Sequence, residues 1–169
     1  MVSNELLYLA SENISGINFT IIVSHIGILR IMFNEPAEFK DKNTTVLHPD
    51  DPFMFGVFTQ LNEYFNGKRK VFDVPLDIHG SDFQKKVWAE LLKIPYGRTV
   101  SYKYISQKLG DIKAIRAVGK ANGANPIPVI IPCHRIINSD GSLGGYTGGL
   151  KIKEKLLKLE GTLETELFG

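Results

Sequence analysis

The chain has 169 residues and is 43% hydrophobic and 22% charged, values typical of a soluble globular protein with one large or two small domains. No apolar run is long enough to span a bilayer and Met1 is not followed by a secretory leader, so we expect a cytoplasmic protein (nuclear in a eukaryote) without a membrane partner. The single cysteine excludes an internal disulfide framework and a cysteine-rich zinc site.

The formal net charge of +2 is unevenly distributed along the chain. Residues 1–78 carry 6 basic against 10 acidic side chains, a net of −4, whereas residues 79–169 carry 14 against 8, a net of +6. A basic half is typical of a domain that binds a polyanion, although a solvated lysine-rich surface gives the same count.

The first half of the chain begins with a β-rich stretch. Residues 17–23 and 28–33 are apolar and rich in β-branched side chains. His25-Ile26-Gly27 lies between them as a turn, so the pattern predicts a hairpin.

A helix is predicted to follow the hairpin. Asp50-Asp51-Pro52 combines a capping carboxylate with a proline suited to the first helical turn. Apolar residues then recur at helical spacing on a face that we expect to be core: Phe53, Val57, Leu61 and Tyr64. Gly67 ends this helix, and residues 71–78 are extended and lead out of the domain. We therefore predict a supporting α/β domain over residues 1–78.

The second half opens with a capping box, Ser81 and Gln84, at the start of an amphipathic helix. Two shorter helices are predicted at residues 102–109 and from 112 to about 122, joined by a turn that contains Gly110. Such a pair is the helix-turn-helix signature, and its second member is then the recognition helix.

Six basic residues lie in or beside this pair of helices, and Asp111 alone opposes them. They are Arg98, Lys103, Lys108, Lys113, Arg116 and Lys120. Phosphate neutralisation by such residues gives binding without sequence preference. Small side chains keep the second helix thin, which allows close approach to DNA with few contacts to base edges. Two tightly packed core helices would show the same small residues.

The only cysteine lies in Ile131-Pro132-Cys133-His134-Arg135, directly after the apolar run at residues 127–131. The thiolate is the reactive form of cysteine, and a neighbouring histidine is a typical partner of a cysteine nucleophile. The pentapeptide alone fits an inert core cysteine better, because free cysteine is a common small buried residue.

The motifs around this pentapeptide carry a resemblance to a known family. They are Ser101-Tyr102, the stretch from Ala114 to Gly119, Asn125-Pro126 with Pro128, and Gly144-Gly145-Tyr146-Thr147-Gly148-Gly149. Together with Pro132-Cys133-His134-Arg135 they resemble the O6-alkylguanine-DNA alkyltransferases, or methylated-DNA–protein-cysteine methyltransferases, over about half the chain. The resemblance implies an α+β fold. A small ribonuclease-H-like domain of sheet and helix would precede a mostly helical, winged-helix-like domain over residues 79–169, which binds DNA and transfers the alkyl group.

The resemblance also implies roles for individual residues. Cys133 is implied as the alkyl acceptor, His134 as the base that takes its proton through a water, and Glu160 as the acid that orients the histidine. Tyr102 is implied as a donor to the substrate base, and Asn125 as a hinge between the recognition helix and the active-site segment. The implied DNA contacts are Arg116, which fills the space left by a flipped base, with Tyr102, Ala117, Gly119 and Ser101. The implied pocket residues are Pro128, Ile136, Tyr146 and Thr147, the last of which is usually serine in the family.

The implied reaction is an irreversible transfer of the alkyl group from O6-alkylguanine, and from O4-alkylthymine, in double-stranded DNA. The protein is expected to act as a monomer that enters the minor groove with little sequence preference and flips the base out. No cofactor is implied, and we expect no metal, because the first half has no cysteine to match the zinc site of some relatives. A thioether is not a leaving group under mild conditions, so each chain should react once.

Three other functions fit parts of the pattern. A non-catalytic module that binds alkylguanine in DNA would usually carry tryptophan where this chain has Cys133. A Cys-His acyl-transfer hydrolase would need an oxyanion hole and would turn over repeatedly. A transcription factor with a structural cysteine would prefer one DNA sequence.

Overall fold

The computed structural model describes residues 6–35 and 43–163. Its packing separates two units, Met1–His79 and Gly80–Gly169. The residues directly after Met1, where we expect no leader, lie outside the described ranges. Within those ranges, no helix has the length and apolar character needed to cross a membrane.

The described part of the first unit is built on a four-stranded sheet in the order β3-β2-β1-β4. Its strands are β1 (Leu7–Ile14), β2 (Ile17–Val23), β3 (Ile28–Phe33) and β4 (Thr44–Val46). β2 and β3 are antiparallel, which confirms the predicted hairpin, and the Ser24 N–H closes its turn on the Gly27 carbonyl at 3.0 Å. β1 pairs antiparallel with β2 and parallel with β4.

The helix predicted to start at the aspartates is divided in two, which corrects that prediction. Only a single 3₁₀ turn, Pro52–Met54, follows them. Phe55 and Gly56 then adopt left-handed conformations, with φ of 53° and 68°, and separate this turn from the helix. The helix α1 runs over Val57–Phe65 and buries Val57, Leu61 and Tyr64. Phe53 is therefore left outside α1 and is 51% exposed rather than part of the core.

Helices dominate the described part of the second unit. Its elements are α2 (Asp82–Leu91), β5 (Val100–Ser101), α3 (Tyr102–Lys108), α4 (Ile115–Gly123), β6 (Ile136–Ile137) and α5 (Leu150–Leu159). The predicted capping box starts α2, since Ser81 and Gln84 each accept the other's backbone N–H. Trp88 of α2 is buried, and its Nε1–H donates to the Ala121 carbonyl of α4 at 2.8 Å, so α2 and α4 share one core.

α3 and α4 have the predicted helix-turn-helix arrangement. The Ser101 hydroxyl caps the first turn of α3, and Gly110, with φ of 82°, follows its end. α4 begins at Ile115, three residues later than predicted, because the Asp111 carboxylate accepts the Lys113 N–H at 2.9 Å and holds a turn there.

A short parallel pairing joins two distant parts of the second unit. Val100 of β5 pairs with Ile136 of β6, three residues after Cys133. The start of α3 is thereby held beside the segment that carries the cysteine. The observed architecture confirms the mixed α+β class, with a sheet in the first unit and helices in the second.

Candidate active site

Cys133 opens a single 3₁₀ turn, Cys133–Arg135, at the end of a buried segment. Its side chain is 3% exposed. Val129, four residues earlier, has φ of 74°, a left-handed value that is strained for a β-branched residue. Strain of this kind persists only where the surrounding structure imposes it, and it is concentrated at functional sites.

The next two side chains of this turn converge on Glu160, which lies directly after α5. His134 Nε2 and Glu160 Oε1 are 2.9 Å apart, and both side chains are fully buried. Arg135 donates from Nε to Oε2 and from Nη2 to Oε1, each at 2.9 Å. The Gly97 N–H donates to Oε2 at 3.2 Å.

These donors explain a carboxylate at a place where a helix normally disfavours one. The C-terminal end of a helix carries partial negative charge, which repels an acidic side chain. Glu160 accepts hydrogen bonds from three partners, and one of them is a permanently charged guanidinium. These donors, on both carboxylate oxygens, hold the side chain in one orientation.

The hydrogen bond to Glu160 also decides which nitrogen of His134 is available for chemistry. Because a carboxylate accepts, His134 Nε2 must carry the proton of the neutral ring, and Nδ1 is left with the lone pair. Among the residues that the structure describes, no side chain or backbone group hydrogen-bonds to Nδ1.

Burial shifts the pKa values of both His134 and Cys133. It raises the pKa of the Cys133 thiol from 9.0 to about 11, against the opposing effects of an Asn125 hydrogen bond, the Lys153 charge and a Tyr146 hydrogen bond. It lowers the pKa of His134 below 6.5, and Glu160 only partly offsets this effect. At neutral pH the resting pair is therefore a neutral thiol beside a neutral imidazole.

Lys153 is a buried cation that sequence reasoning missed. Its side chain is 0% exposed, and its ammonium donates to the carbonyls of Ile136 (2.7 Å), Leu143 and Gly145 (3.4 Å). Burial lowers its pKa from 10.5 to about 8, while its interaction with Cys133 acts in the opposite direction. A signal was present in the sequence, because Lys153 lies three and four residues before Leu156 and Leu157, on the buried face of α5.

Asn125 connects the end of α4 to the cysteine segment. Its Nδ2 donates to the Ile131 carbonyl at 2.7 Å, and its Oδ1 accepts the Ile127 N–H at 3.0 Å. It also hydrogen-bonds to Cys133. Asn125 thus ties the end of α4 to the backbone of the segment that leads to Cys133.

A cleft of about 430 Å³ opens beside Cys133. It is lined by Tyr102, Gly119, Asn122, Gly123, Gly145, Tyr146 and Thr147. Three of these residues reach the cysteine. Tyr146 lowers the pKa of its thiol, Tyr102 interacts with it electrostatically, and the Asn122 amide donates to the Cys133 carbonyl at 3.4 Å. The thiol therefore lies directly behind the cleft wall.

The cleft is lined by four of the sequence-predicted site residues, and two of the four predicted pocket residues do not line it. Tyr102, Gly119, Tyr146 and Thr147 line it, whereas Pro128 and Ile136 are buried and do not. The Ile136 carbonyl accepts a hydrogen bond from the Lys153 ammonium. The Thr147 hydroxyl donates to the Gly123 carbonyl at 2.7 Å and so joins the glycine-rich loop to α4.

The basic residues in and beside α3 and α4 are exposed. Arg116 and Ala117 are exposed and Gly119 is half-buried. The other five basic residues predicted from the sequence, Arg98, Lys103, Lys108, Lys113 and Lys120, are also exposed. Ser101 is half-buried and its hydroxyl is used as the α3 cap.

Two family models match the chain in adjacent segments. Residues 18–78 match the 6-O-methylguanine DNA methyltransferase, ribonuclease-like domain, and residues 82–162 match the 6-O-methylguanine DNA methyltransferase, DNA binding domain.

Individual relatives agree with these matches. The chain is 53% identical over 112 residues to the methylated-DNA–protein-cysteine methyltransferase of Mycobacterium tuberculosis, covering 66% of this chain and 68% of the relative. It is 48% identical over 135 residues to the Methanosarcina mazei protein of that name, covering 79% and 84%. The crystal structure of M. tuberculosis OGT in complex with DNA superposes with a TM-score of 0.82 at 40% identity, covering 90% of this chain and 92% of that one.

Proposed function

The chain belongs to the 6-O-methylguanine DNA methyltransferase family, and on that premise we propose that Cys133 takes the alkyl group of O6-alkylguanine in DNA. The chain is a methylated-DNA–protein-cysteine S-methyltransferase that binds and repairs DNA, as its relatives' names and the DNA complex of one of them indicate. The observation that carries the assignment of Cys133 is the buried Cys133–His134–Glu160 series behind an open cleft.

The proposed reaction is a single displacement at the alkyl carbon. The Cys133 thiol gives its proton to His134 Nδ1, directly or through a water, because Nε2 is committed to Glu160. The sulfur then forms a bond to the alkyl carbon as the carbon–O6 bond breaks, and the electron pair of that bond passes to the guanine. A proton donor at the cleft, for which we propose the Tyr102 hydroxyl, stabilises the charge that develops on the departing base.

This displacement leaves a thioether on the protein. No second cysteine is available in the sequence to accept the alkyl group from Cys133. The proposed stoichiometry is therefore one alkyl group per chain, which fits the family.

We further propose that the damaged base leaves the duplex before it reacts. Cys133 is 3% exposed, so an alkyl group inside a stacked duplex could not reach the sulfur. The exposed Arg116 is the proposed wedge that occupies the vacated space. The small residues Ala117 and Gly119 would allow α4 to approach the minor groove closely. The protein is proposed to bind the DNA as a monomer. The same route would admit O4-alkylthymine, whose alkylated oxygen has similar chemistry.

The cleft supplies the proposed contacts to the extruded base. Tyr146 and Thr147 lie on the glycine-rich loop that forms one wall, and the Thr147 hydroxyl is already bonded to Gly123. The backbone N–H of Thr147 is thus the group that we propose to face O6. Pro128, which is buried, would support the wall from behind.

Intact-mass measurement tests this function directly. The full chain is incubated with duplex DNA that carries one O6-methylguanine, and peptide mapping locates any added mass. We expect a gain of one methyl group at Cys133 and no gain in Cys133→Ser, which should still bind the duplex. A methyl group on another residue, or repeated turnover by one chain, would refute the assignment. Binding without any methyl gain would favour the non-catalytic module.

A further inference from the structure

All three nitrogens of the Arg135 guanidinium donate hydrogen bonds within the second unit. Two of its nitrogens form parallel hydrogen bonds to the two oxygens of Glu160, and Nη1 donates to the Ile94 carbonyl at 2.6 Å. Its guanidinium lies over the Tyr96 ring, 5.9 Å from the centroid. The residue is 6% exposed, so its charge is almost completely removed from water.

A buried ion pair of this kind is weak evidence of a contribution to stability. The desolvation of both charges offsets most of the Coulomb attraction, and well-packed apolar residues often serve as well. The particular geometry of this pair points to another role, because Glu160 Oε1 accepts from Arg135 and His134 at the same time.

We propose that Arg135 is a positioning residue that fixes Glu160 as a carboxylate and keeps His134 neutral, ready to accept the thiol proton. This inference rests on the proposed function, in which His134 is the base. Glu160 alone would favour imidazolium, since an isolated buried carboxylate attracts a proton to its partner. The paired guanidinium neutralises most of that attraction while the hydrogen bond to Nε2 continues to fix the tautomer.

The charged groups around His134 act on its pKa in opposite directions. Glu160, directly after α5, raises the pKa of the imidazole, whereas Arg135 on the same turn and Lys153 from α5 lower it, and Cys133 precedes it in the chain. Burial has the largest effect and also lowers this pKa. Removal of the Arg135 charge should therefore raise the pKa of His134, so that the ring becomes protonated at a higher pH than in the parent protein.

The test is a nuclear magnetic resonance titration of histidine ring carbons in the full chain, in the absence of DNA. The other three histidines, His25, His48 and His79, belong to the first unit and serve as internal references. In the parent protein the His134 ring should remain neutral down to pH 6.5. If the ring takes up its proton at pH 6.5 or above, the proposal is overturned, and this result does not depend on whether any variant folds.

Three variants separate charge from structure. Arg135→Met should raise the pKa of His134 by about one to three units, the range for a neighbouring charge, and should move the acidic limb of the pH–rate profile upward equally. Arg135→Lys, which keeps the charge without the two parallel bonds, should stay within about one unit of the parent value. Arg69→Met, which breaks the arginine–glutamate pair with Glu63 in the first unit, should leave His134 unchanged.

If the pKa of His134 is the same in folded Arg135→Met as in the parent protein, the inference is overturned. The Arg135–Glu160 pair would then have only a packing role. This readout does not depend on alkyl transfer, so it distinguishes failure of the inference from failure of the proposed function. If the methyl group were found elsewhere than on Cys133, the function would fail while the titration still reported on Arg135.

Discussion

Burial raises the pKa of Cys133 and lowers the pKa of Lys153, and the most informative experiment removes each of these two groups in turn. Lys153→Met removes the buried ammonium, and Cys133→Ser removes the buried thiol. Lysine loses its charge when it deprotonates, whereas cysteine gains one. The two substitutions should therefore change the pH dependence of folding stability in opposite directions.

The magnitudes follow from linkage between folding and proton binding. Lys153 has a folded pKa of about 8 against 10.5 in the unfolded chain, so above pH 8 the unfolded state binds more protons and stability rises with pH. Over the interval from pH 8 to pH 10 this amounts to about 2–3 kcal/mol. Cys133 has a folded pKa of about 11 against 9.0, so above pH 9 the unfolded state binds fewer protons, and stability falls by about 1–2 kcal/mol up to pH 10.

The assay is urea unfolding of the full chain at pH 7, 8, 9 and 10, with the free energy of unfolding of each variant subtracted from that of the parent at each pH. This subtraction cancels the tyrosines, which titrate in all of the proteins. The parent-minus-Lys153→Met difference should rise by about 2–3 kcal/mol, and the parent-minus-Cys133→Ser difference should fall by about 1–2 kcal/mol. Lys151→Met, an exposed lysine on the same helix, should give a difference that does not vary with pH.

A difference for Lys153→Met that stays constant within about 0.5 kcal/mol from pH 7 to pH 10 would refute the reasoning. It would mean that Lys153 keeps its ordinary affinity for a proton despite its burial. The three hydrogen bonds from its ammonium to backbone carbonyls would then offset the whole cost of removing the charge from water.

Three further predictions concern the site and the DNA-binding surface. Arg116→Ala should slow repair of duplex DNA about ten- to a hundredfold while free O6-benzylguanine reacts at nearly the parent rate, since a wedge matters only in a stack; equal loss on both substrates would indicate a folding defect. Glu160→Gln should slow methyl transfer about a hundredfold at pH 7, with partial recovery above pH 9 as the thiol ionises without help from His134, and a parent-like rate at every pH would remove Glu160 from the mechanism. Thr147→Val, which loses the hydrogen bond to Gly123, should slow transfer about two- to tenfold in single-turnover assays, whereas Thr147→Ser should not.

Local patterns in the sequence were sufficient to predict much of the fold. The hairpin at residues 17–33 and the capping box at Ser81 depend on neighbouring residues, and both are present as predicted. β1 was not singled out, because Ser11, Glu12 and Asn13 interrupt its apolar pattern where the strand is largely exposed. The break between Pro52–Met54 and α1 was also missed, since no local rule requires Phe55 to adopt a left-handed conformation.

The charged residues of the site show a different limit of sequence reasoning. Arg135 looks like an ordinary surface charge in the sequence, and Lys153 was passed over despite its place on the apolar face of α5, because basic side chains are almost never fully buried. Their burial depends on partners that are distant in the chain: Ile94 and Glu160 for Arg135, and a set of backbone carbonyls for Lys153. Such partners become visible only once the elements have packed together.

The buried position of Cys133 has a consequence for selectivity. Reactive cysteines are usually exposed and have a lowered pKa, whereas this thiol is 3% exposed with a pKa of about 11. At neutral pH it therefore remains protonated and nearly inaccessible, which should protect it from small alkylating agents and oxidants in solution. In the proposed mechanism its proton leaves towards His134, whose ring is oriented by the hydrogen bond to Glu160. If that mechanism holds, the thiol of a protein that reacts only once is kept protonated and buried until a substrate base enters the cleft.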